Sequence, residues 1–290
     1  MNLSSIVTLV RPKQWVKNGF VFAPIFFSAQ LTSIEVLKRI VVASICFCFI
    51  ASAVYVLNDL CDMEADRLHA KKKARPLASG AVTPAVAIAI LVALVAAAIA
   101  AALLAALPLG FYLLAGVYIA VNIGYSFGLK QISVLELVLV SSGFLIRLLA
   151  GGAAISVELS SWIIVATAMI SLLLTIGKRR GDLVQNNDKT HQRKSLKGYT
   201  VPYLDALLGA TAGGVMVVYL IFCTSDYATK RYGPYLIITS VFVGLGVMRY
   251  LQIVMVKGGG DSPTDLVLGD PFIIAVVAAF IGAFALLIYI

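Results

Sequence analysis

A 23-residue stretch that begins at Asn58 holds four of the fourteen acids and five of the 23 lysines and arginines. At about 100° per residue, Asp59, Asp62 and Asp66 share one face of a helix, while Glu64 points to the opposite face. Three carboxylates on one face repel each other unless a cation lies among them. Mg²⁺ suits this place, because it takes one or two carboxylates and completes its shell with water and substrate phosphates.

Basic residues follow these acids directly. Lys73 and Arg75 end a run that also contains Lys71 and Lys72, and such a run suits an anion. Acids for a metal beside bases for a phosphate indicate a site for a Mg²⁺-diphosphate substrate, and we expect the acids to have no structural basic partner. The alternative is a solvated helix end before a basic cytoplasmic loop. That alternative accounts for the lysines but not for three acids on one face.

The composition is that of a membrane protein. Of 290 residues, 61% are hydrophobic and 13% are charged, whereas about a quarter of the residues of a soluble domain are charged. The four cysteines have neither zinc nor disulfide spacing. The net charge of +9 comes from bases clustered at helix ends, so membrane topology and anionic substrates explain it better than nucleic acid does.

Nine apolar segments are each about long enough to cross a membrane. They are Val16–Leu31, Val36–Leu60, Pro84–Leu107, Leu109–Phe127, Ser133–Ile155, Trp162–Ile176, Leu204–Cys223, Tyr235–Val256 and Pro271–Ile290. The first is short and contains Pro24, which predicts a kink or a strong tilt. We therefore predict an all-α polytopic protein: one catalytic domain over residues 1–290, with about nine transmembrane helices and an active-site cavity that faces the cytoplasm.

The distribution of the bases predicts the orientation in the plasma membrane. The N-terminus and the loops after even-numbered helices hold 17 of the 23 lysines and arginines, and the opposite side holds four. Because cytoplasmic loops are enriched in these residues, the N-terminus and the even-numbered loops are predicted to be cytoplasmic. The long loops after the second and sixth helices then lie on the same face, which hints at a duplicated helical unit.

The loop after the sixth helix is a second candidate for substrate binding. Lys178 and Asp182 share a helical face if the sixth helix continues through them. A lysine can hold a diphosphate as a point charge, Arg179 can clamp it with two nitrogens, and Asp182 can complete a metal shell. Arg193 and Tyr199 follow and are also candidates. The alternative is an ordinary basic loop that binds anionic lipid.

Five further polar residues lie within or beside apolar segments. Lys17 and Asn18 are either an interfacial anchor or ligands that line the cavity. Tyr125 and Lys130, at the end of the fourth helix, contribute either to substrate binding or to contacts between helices. Arg147 in the fifth helix costs about 2.5–3.5 kcal/mol to insert, so it should face the interior and pair with a carboxylate or a substrate.

The acidic motif resembles that of the UbiA superfamily of intramembrane prenyltransferases, whose first Asp-rich motif matches Asn58-x-x-x-Asp62-x-x-x-Asp66. Other motifs resemble the decaprenyl-phosphate phosphoribosyltransferase branch. They are Arg11-Pro-Lys-Gln-Trp-Val-Lys-Asn18, Arg75-Pro-Leu-Ala-Ser-Gly80, Tyr125-Ser-x-x-Leu-Lys130, Gly177-Lys-Arg179 and Arg193-x-Ser-Leu-x-x-Tyr199. The departure from the wider superfamily is the loop after the sixth helix, which has one clear acid, Asp182, instead of a second Asp-rich motif.

The resemblance implies transfer of 5-phosphoribose from phosphoribosyl pyrophosphate to a polyprenyl phosphate, with Mg²⁺ as cofactor and a product that feeds arabinose donor synthesis for the cell envelope. It implies that Asp59, Asp62 and Asp66 are catalytic and hold the metal with Asn58. A homo-oligomer is left open. The competing hypotheses are an aromatic prenyltransferase that uses a polyprenyl diphosphate, which the single acid disfavours, and a transporter. Polar residues at helix ends rather than at the midplane disfavour the transporter.

Overall fold

The structure is a computed structural model that describes residues 2–68, 72–185, 194–256, 266 and 269–289. In these residues all regular secondary structure is helical, as predicted. The chain divides into two compact units, Met1–Leu139 with Gly143–Leu159 and Val140–Ser142 with Ser160–Ile290. The single catalytic domain over residues 1–290 stays a prediction.

The first unit contains α1 to α6 and a long 3-10 helix. Their bounds are Leu3–Val10 (α1), Pro12–Phe22 (the 3-10 helix), Ala23–Phe27 (α2), Ile34–Arg67 (α3), Pro84–Leu104 (α4), Leu109–Ser126 (α5) and Leu135–Ala154 (α6). The second unit contains Ser161–Gln185 (α7), Val201–Thr224 (α8), Asp226–Tyr232 (α9), Ser240–Met255 (α10, preceded by the 3-10 helix Pro234–Thr239) and Pro271–Tyr289 (α11). Short 3-10 turns cover Lys72–Ala74, Leu129–Gln131 and Lys194–Gly198.

Eight helices in the described part of the chain are long and apolar enough to cross a membrane. The chain is thus a multi-pass membrane protein. These eight match the second to ninth predicted segments, but the first forms the 3-10 helix followed by the five-residue α2. Pro24 lies inside this segment, so one regular α-helix cannot run through its whole length. At about 2.0 and 1.5 Å per residue, the two pieces together measure about 30 Å, similar to a hydrocarbon core.

Helix α3 carries the acids beyond the apolar layer. It begins after Ser33, whose hydroxyl accepts a hydrogen bond from the Val36 amide at 3.5 Å. Its 34 residues extend about 51 Å, whereas a hydrocarbon core is about 30 Å thick. The apolar residues fill the first part of the helix, so the polar turns from Asn58 onwards extend past one face of that layer.

Two groups of buried apolar residues hold α3 in the first unit. In the larger group, the Phe47 ring lies 5.8 Å from Phe111 and 5.5 Å from Tyr118, which joins α3 to α5. The smaller group includes Leu9 of α1, Val56 of α3 and Leu77 of the following loop. Because Leu77 is anchored against α3, Arg75 of that loop is held close to the acidic turns.

Candidate active site

The acidic face of α3 has the orientation that its spacing predicts. Asp59 and Asp66 are 2% and 3% exposed, and the side chain of Asp62 is 21% exposed. Glu64, on the opposite face, has a side chain that is 75% exposed and pairs with Arg67. The three aspartates therefore face the interior of the first unit, and the glutamate faces outward.

Two arginines neutralise the buried pair of acids. The Arg11 Nη2 atom donates to both Asp59 carboxylate oxygens, at 2.5 and 2.7 Å. The Arg75 Nη1 atom donates to Asp59 at 3.0 Å and to Asp66 at 2.6 Å, so it bridges the two carboxylates. The expectation that the acids lack a structural basic partner is therefore wrong. Arg75 reaches them from the loop after α3, and Arg11 reaches Asp59 from the start of the long 3-10 helix.

Lys130 provides the third cation. Its Nζ atom donates to Asp62 at 2.5 Å and to the Asn58 side-chain oxygen at 3.3 Å. Asn58 in turn donates to Asp62 at 3.1 Å, and Ser126 donates to Asn58 at 3.5 Å. The chain turns into the Lys130 segment at Gly128, whose φ of 139° is open to glycine but not to most other residues. Lys130 thus makes a contact between helices, which is one of the two roles that its position in the sequence left open.

Arg11 is the residue that the site assignment from sequence missed. Its backbone is left-handed, with φ 56° and ψ 58°, and its guanidinium lies 5.0 Å from the centre of the Tyr55 ring. A non-glycine residue at positive φ is uncommon and is often held so at a functional site. The available signal was its place at the start of the Arg11–Asn18 motif. Nothing local in the sequence brings it to Asp59, 48 positions away.

The donor set fits Mg²⁺ with few protein ligands. In the part of the chain that the structure describes, no three Asp, Glu, His or Cys side chains lie close enough to hold one ion. However, one nitrogen of Arg75 contacts oxygens of both Asp59 and Asp66, so a single positively charged group already bridges these two carboxylates. Mg²⁺ commonly uses one or two carboxylates together with substrate phosphates. The wider set with Asp62 and Asn58 stays a prediction.

Arg147 faces the interior, as predicted, but with a different kind of partner. It is 4% exposed and donates to the Asn18 side-chain oxygen at 2.7 Å, the Gly143 carbonyl at 2.8 Å and the Tyr118 hydroxyl at 2.8 Å. Within the described residues, all three hydrogen-bond acceptors of Arg147 are neutral. The expectation that a carboxylate accepts from it is therefore wrong. Substrate binding by Arg147 and Asn18 stays a prediction.

Three other candidate residues for substrate binding lie in the first unit. Lys17 and Tyr125 are half-buried, and Lys73 is exposed. Among them, Lys17 belongs to the long 3-10 helix and Tyr125 to the last turn of α5. Their assignment to substrate binding stays a prediction.

The second unit holds the other basic candidates. Helix α7 continues to Gln185, as the spacing of Lys178 and Asp182 requires. Asp182 pairs with the buried Arg179 at 2.5 Å. Tyr199 is buried, with its ring stacked 6.1 Å from that of Tyr203. Arg193 lies outside the described residues.

Arg180 has a different role from its neighbours in the basic run. It is 8% exposed, pairs with Asp205 of α8 and donates to the Val254 carbonyl of α10 at 2.7 Å. One side chain therefore joins three helices of the second unit. This arrangement indicates a structural arginine rather than a phosphate ligand.

We expect Arg180→Met to lower the free energy of unfolding by about 3–5 kcal/mol, because it leaves a partly buried Asp205 without its cation. Thermal unfolding in detergent measures the loss, with the exposed Arg39→Met as the matched control. A second change, Asp205→Leu, should restore part of the lost stability. Equal unfolding temperatures for the Arg180 and Arg39 variants would contradict the structural role.

Comparison with known proteins places this chain in a family. Residues 20–264 match the UbiA prenyltransferase family. The chain is 36% identical to decaprenyl-phosphate phosphoribosyltransferase of Corynebacterium glutamicum, over 98% of this chain and 87% of that protein. It is 34% identical to the Mycolicibacterium smegmatis protein of the same name, over 99% and 93%.

The fold is also that of a solved structure. A UbiA homolog from Archaeoglobus fulgidus bound to GPP and Mg²⁺ superposes with a TM-score of 0.75, over 99% of this chain and 100% of that one, at 19% identity. At that identity the likeness concerns the fold alone. The family match and the nearly full-length relatives carry the assignment. This chain belongs to the UbiA prenyltransferase family.

Proposed function

We propose that the protein transfers 5-phosphoribose from phosphoribosyl pyrophosphate to a decaprenyl-like polyprenyl phosphate and releases diphosphate. Its product would then serve arabinose donor synthesis for the cell envelope. The observation that carries the proposal is the cluster of Asp59 and Asp66 with Arg11 and Arg75, which offers carboxylates for a metal and guanidinium groups for phosphates. The name shared by the two bacterial relatives supports the choice of substrates.

The cluster can bind a diphosphate by exchanging partners. Asp59 and Asp66 would hold Mg²⁺, which when bound neutralises charge that develops on the leaving diphosphate. Arg11 and Arg75 are then released from the carboxylates and turn to phosphate oxygens, for which the guanidinium fork has the matching geometry. Lys130 keeps Asn58 and Asp62 in place beside them. The aspartates and arginines of the cluster are therefore each paired with an opposite charge both before and after the substrate binds.

The chemical step needs no protein nucleophile. An oxygen of the acceptor phosphate attacks C1 of the ribose, the bond from C1 to the diphosphate oxygen breaks, and the electron pair leaves with the diphosphate. Because the acceptor is already an anion, no strong general base is required. Charge stabilisation by preorganised cations is the main device. We assign Lys178 and Arg179 to neutralising substrate phosphates, and apolar helix faces to the polyprenyl tail.

The second candidate is an aromatic prenyltransferase that uses a polyprenyl diphosphate. The family and the GPP bound to the Archaeoglobus fulgidus homolog favour it. The end of α7 disfavours it, because Asp182 is the one acid of that helix and three bases precede it. A basic rather than acidic end of α7 suits a second phosphate better than a second set of metal ligands.

We further propose that the acidic turns of α3 face the cytoplasm, in line with the distribution of basic residues. On a cysteine-free background, Glu64→Cys should react with a membrane-impermeant thiol reagent only from the cytoplasmic side. Arg231→Cys, at the end of α9, should react only from outside. Both positions are exposed, so each controls for the reactivity of the other. Labelling of position 64 from outside alone would overturn the orientation.

The test of the function is an assay of the purified protein with labelled phosphoribosyl pyrophosphate and polyprenyl phosphates of several lengths, with Mg²⁺ or with a chelator. We expect Mg²⁺-dependent transfer of label to the lipid. The parallel reaction contains a polyprenyl diphosphate and an aromatic acceptor. Product in the parallel reaction alone would reject the proposal and favour the second candidate.

A further inference from the structure

We propose that Arg147 is a positioning residue, which holds the first segment as a 3-10 helix and thereby places Arg11 on Asp59. This inference rests on the proposed function only for its effect on catalysis. The placement itself has a separate test that needs no substrate. All the contacts that carry it lie within the first unit.

One face of the long 3-10 helix carries its polar contacts with α3. Trp15, Asn18 and Val21 are spaced by three residues, and side chains at this spacing eclipse in a 3-10 helix. The Trp15 indole donates to the Ser52 hydroxyl at 2.9 Å, and the Asn18 amide donates to the Cys48 sulfur at 3.2 Å. Cys48 and Ser52 are one turn apart on α3. Successive turns of the two helices therefore match.

The same face matches α6. The Arg147 Nε atom donates to the Asn18 side-chain oxygen at 2.7 Å. One α-helical turn later, a β-carbon on Gly151 would overlap with the carbonyl oxygen of Val21, so the two backbones can approach only because that residue is glycine. Two successive turns of the 3-10 helix thus meet two successive turns of α6.

An α-helical first segment could not make all these contacts. In an α-helix three residues fall about 60° short of a full turn, so Val21 would point about 120° away from Trp15. The contacts with Ser52 and Gly151 would then be incompatible. The long 3-10 form, which is poorly stable by itself, is therefore specified by its neighbours in the fold.

Arg147 is a rigid support for this arrangement. Its other two nitrogens are fixed by Gly143 and Tyr118, so all three guanidinium nitrogens have acceptors. The fork of the guanidinium, rather than its charge alone, spans these acceptors, and lysine cannot reproduce it. A buried arginine is costly, and none of the three acceptors of Arg147 is an acid. A role in fixing Asn18 explains why an arginine is nevertheless present here.

A short series of contacts connects this support to the site. The Ser52 hydroxyl that accepts from Trp15 also donates to the Val10 carbonyl at 2.8 Å. Val10 is followed by Arg11, the left-handed residue that binds Asp59 at 2.5 Å. Rotation of the 3-10 helix would move both the Trp15 contact and the backbone of Arg11. Arg147 therefore acts on the site through the position of Arg11.

The first test measures the coupling between Arg11 and Asp59 by thermal unfolding of Arg11→Met, Asp59→Asn and the double variant, without substrate. The set is repeated in the Arg147→Met background and in the matched Arg249→Met background, since Arg249 pairs with Asp270 in the second unit. We expect the coupling to disappear with Arg147→Met and to persist with Arg249→Met. Coupling of unchanged size in both backgrounds would overturn the proposal.

The second test uses catalysis. Arg11→Met and Arg147→Met should each raise the KM for phosphoribosyl pyrophosphate by about tenfold, and the double variant should stay within about twofold of the larger single effect. Arg249→Met should combine with Arg11→Met multiplicatively. Full multiplication of the Arg147 and Arg11 effects would reject the positioning role.

A milder variant covers the case in which Arg147→Met does not fold. Asn18→Ala removes the acceptor while Arg147 keeps its bonds to Gly143 and Tyr118, and it should give the same loss of coupling between Arg11 and Asp59. Absence of turnover by the wild type would reject the proposed function, whereas the unfolding result would still decide the positioning role.

Discussion

Replacement of Asp59 by asparagine is expected to lower Mg²⁺-dependent turnover at least about 100-fold, which corresponds to about 2.7 kcal/mol of transition-state stabilisation. The carboxylate is 2% exposed and faces both Arg11 and Arg75, so its loss removes a metal ligand and the anchor of two phosphate-binding groups. A steady-state assay over a range of Mg²⁺ concentrations measures the effect.

The same variant should also be less stable, by about 1–2 kcal/mol, because it loses charge-assisted hydrogen bonds. The loss is limited because the side chains of Arg11 and Arg75 are 25% and 27% exposed and can regain water. Glu64→Gln is the matched control, since Glu64 lies on the outer face of the same helix and pairs with Arg67. Near-normal turnover of Asp59→Asn would show that the acid is not part of the catalytic site.

Phosphoribosyl pyrophosphate with Mg²⁺ is expected to protect the protein against thermal unfolding. At about 100 times its dissociation constant, a ligand that binds only the folded state stabilises it by roughly 2.7 kcal/mol. Neither Mg²⁺ alone nor phosphoribosyl pyrophosphate with a chelator should raise the unfolding temperature by the full amount. The carboxylates of the cluster bind Mg²⁺ and its arginines bind the phosphates, so both ligands are needed. Unfolding in detergent is often irreversible, so shifts are compared at one heating rate.

Lys178→Ala should weaken this protection, because it removes a cation assigned to the substrate phosphates. Lys38→Ala, an exposed lysine near the opposite end of α3, is the matched control and should leave it unchanged. The comparison ligand is a polyprenyl diphosphate. A clear shift with that diphosphate and none with phosphoribosyl pyrophosphate would transfer the assignment to aromatic prenyltransferases.

The sequence by itself determined the class of the protein and the face on which the acids lie. Apolar runs of membrane length are a local property, and so is the relation between residues three or four positions apart on a helix. Asp59, Asp62 and Asp66 could therefore be placed together, with Glu64 opposite them. The continuation of α7 through Lys178 and Asp182 follows from the same local rule.

The tertiary structure alone decided what these residues contact. Arg11 reaches Asp59 across 48 positions, and Lys130 reaches Asp62 across 68. Such pairs depend on how helices pack, and no period in the sequence records them. For the same reason the neutral partners of Arg147 were not predicted. Pro24 predicted a break in the first segment, but the 3-10 form came from contacts with α3 and α6, because only packing against both helices makes that form favourable.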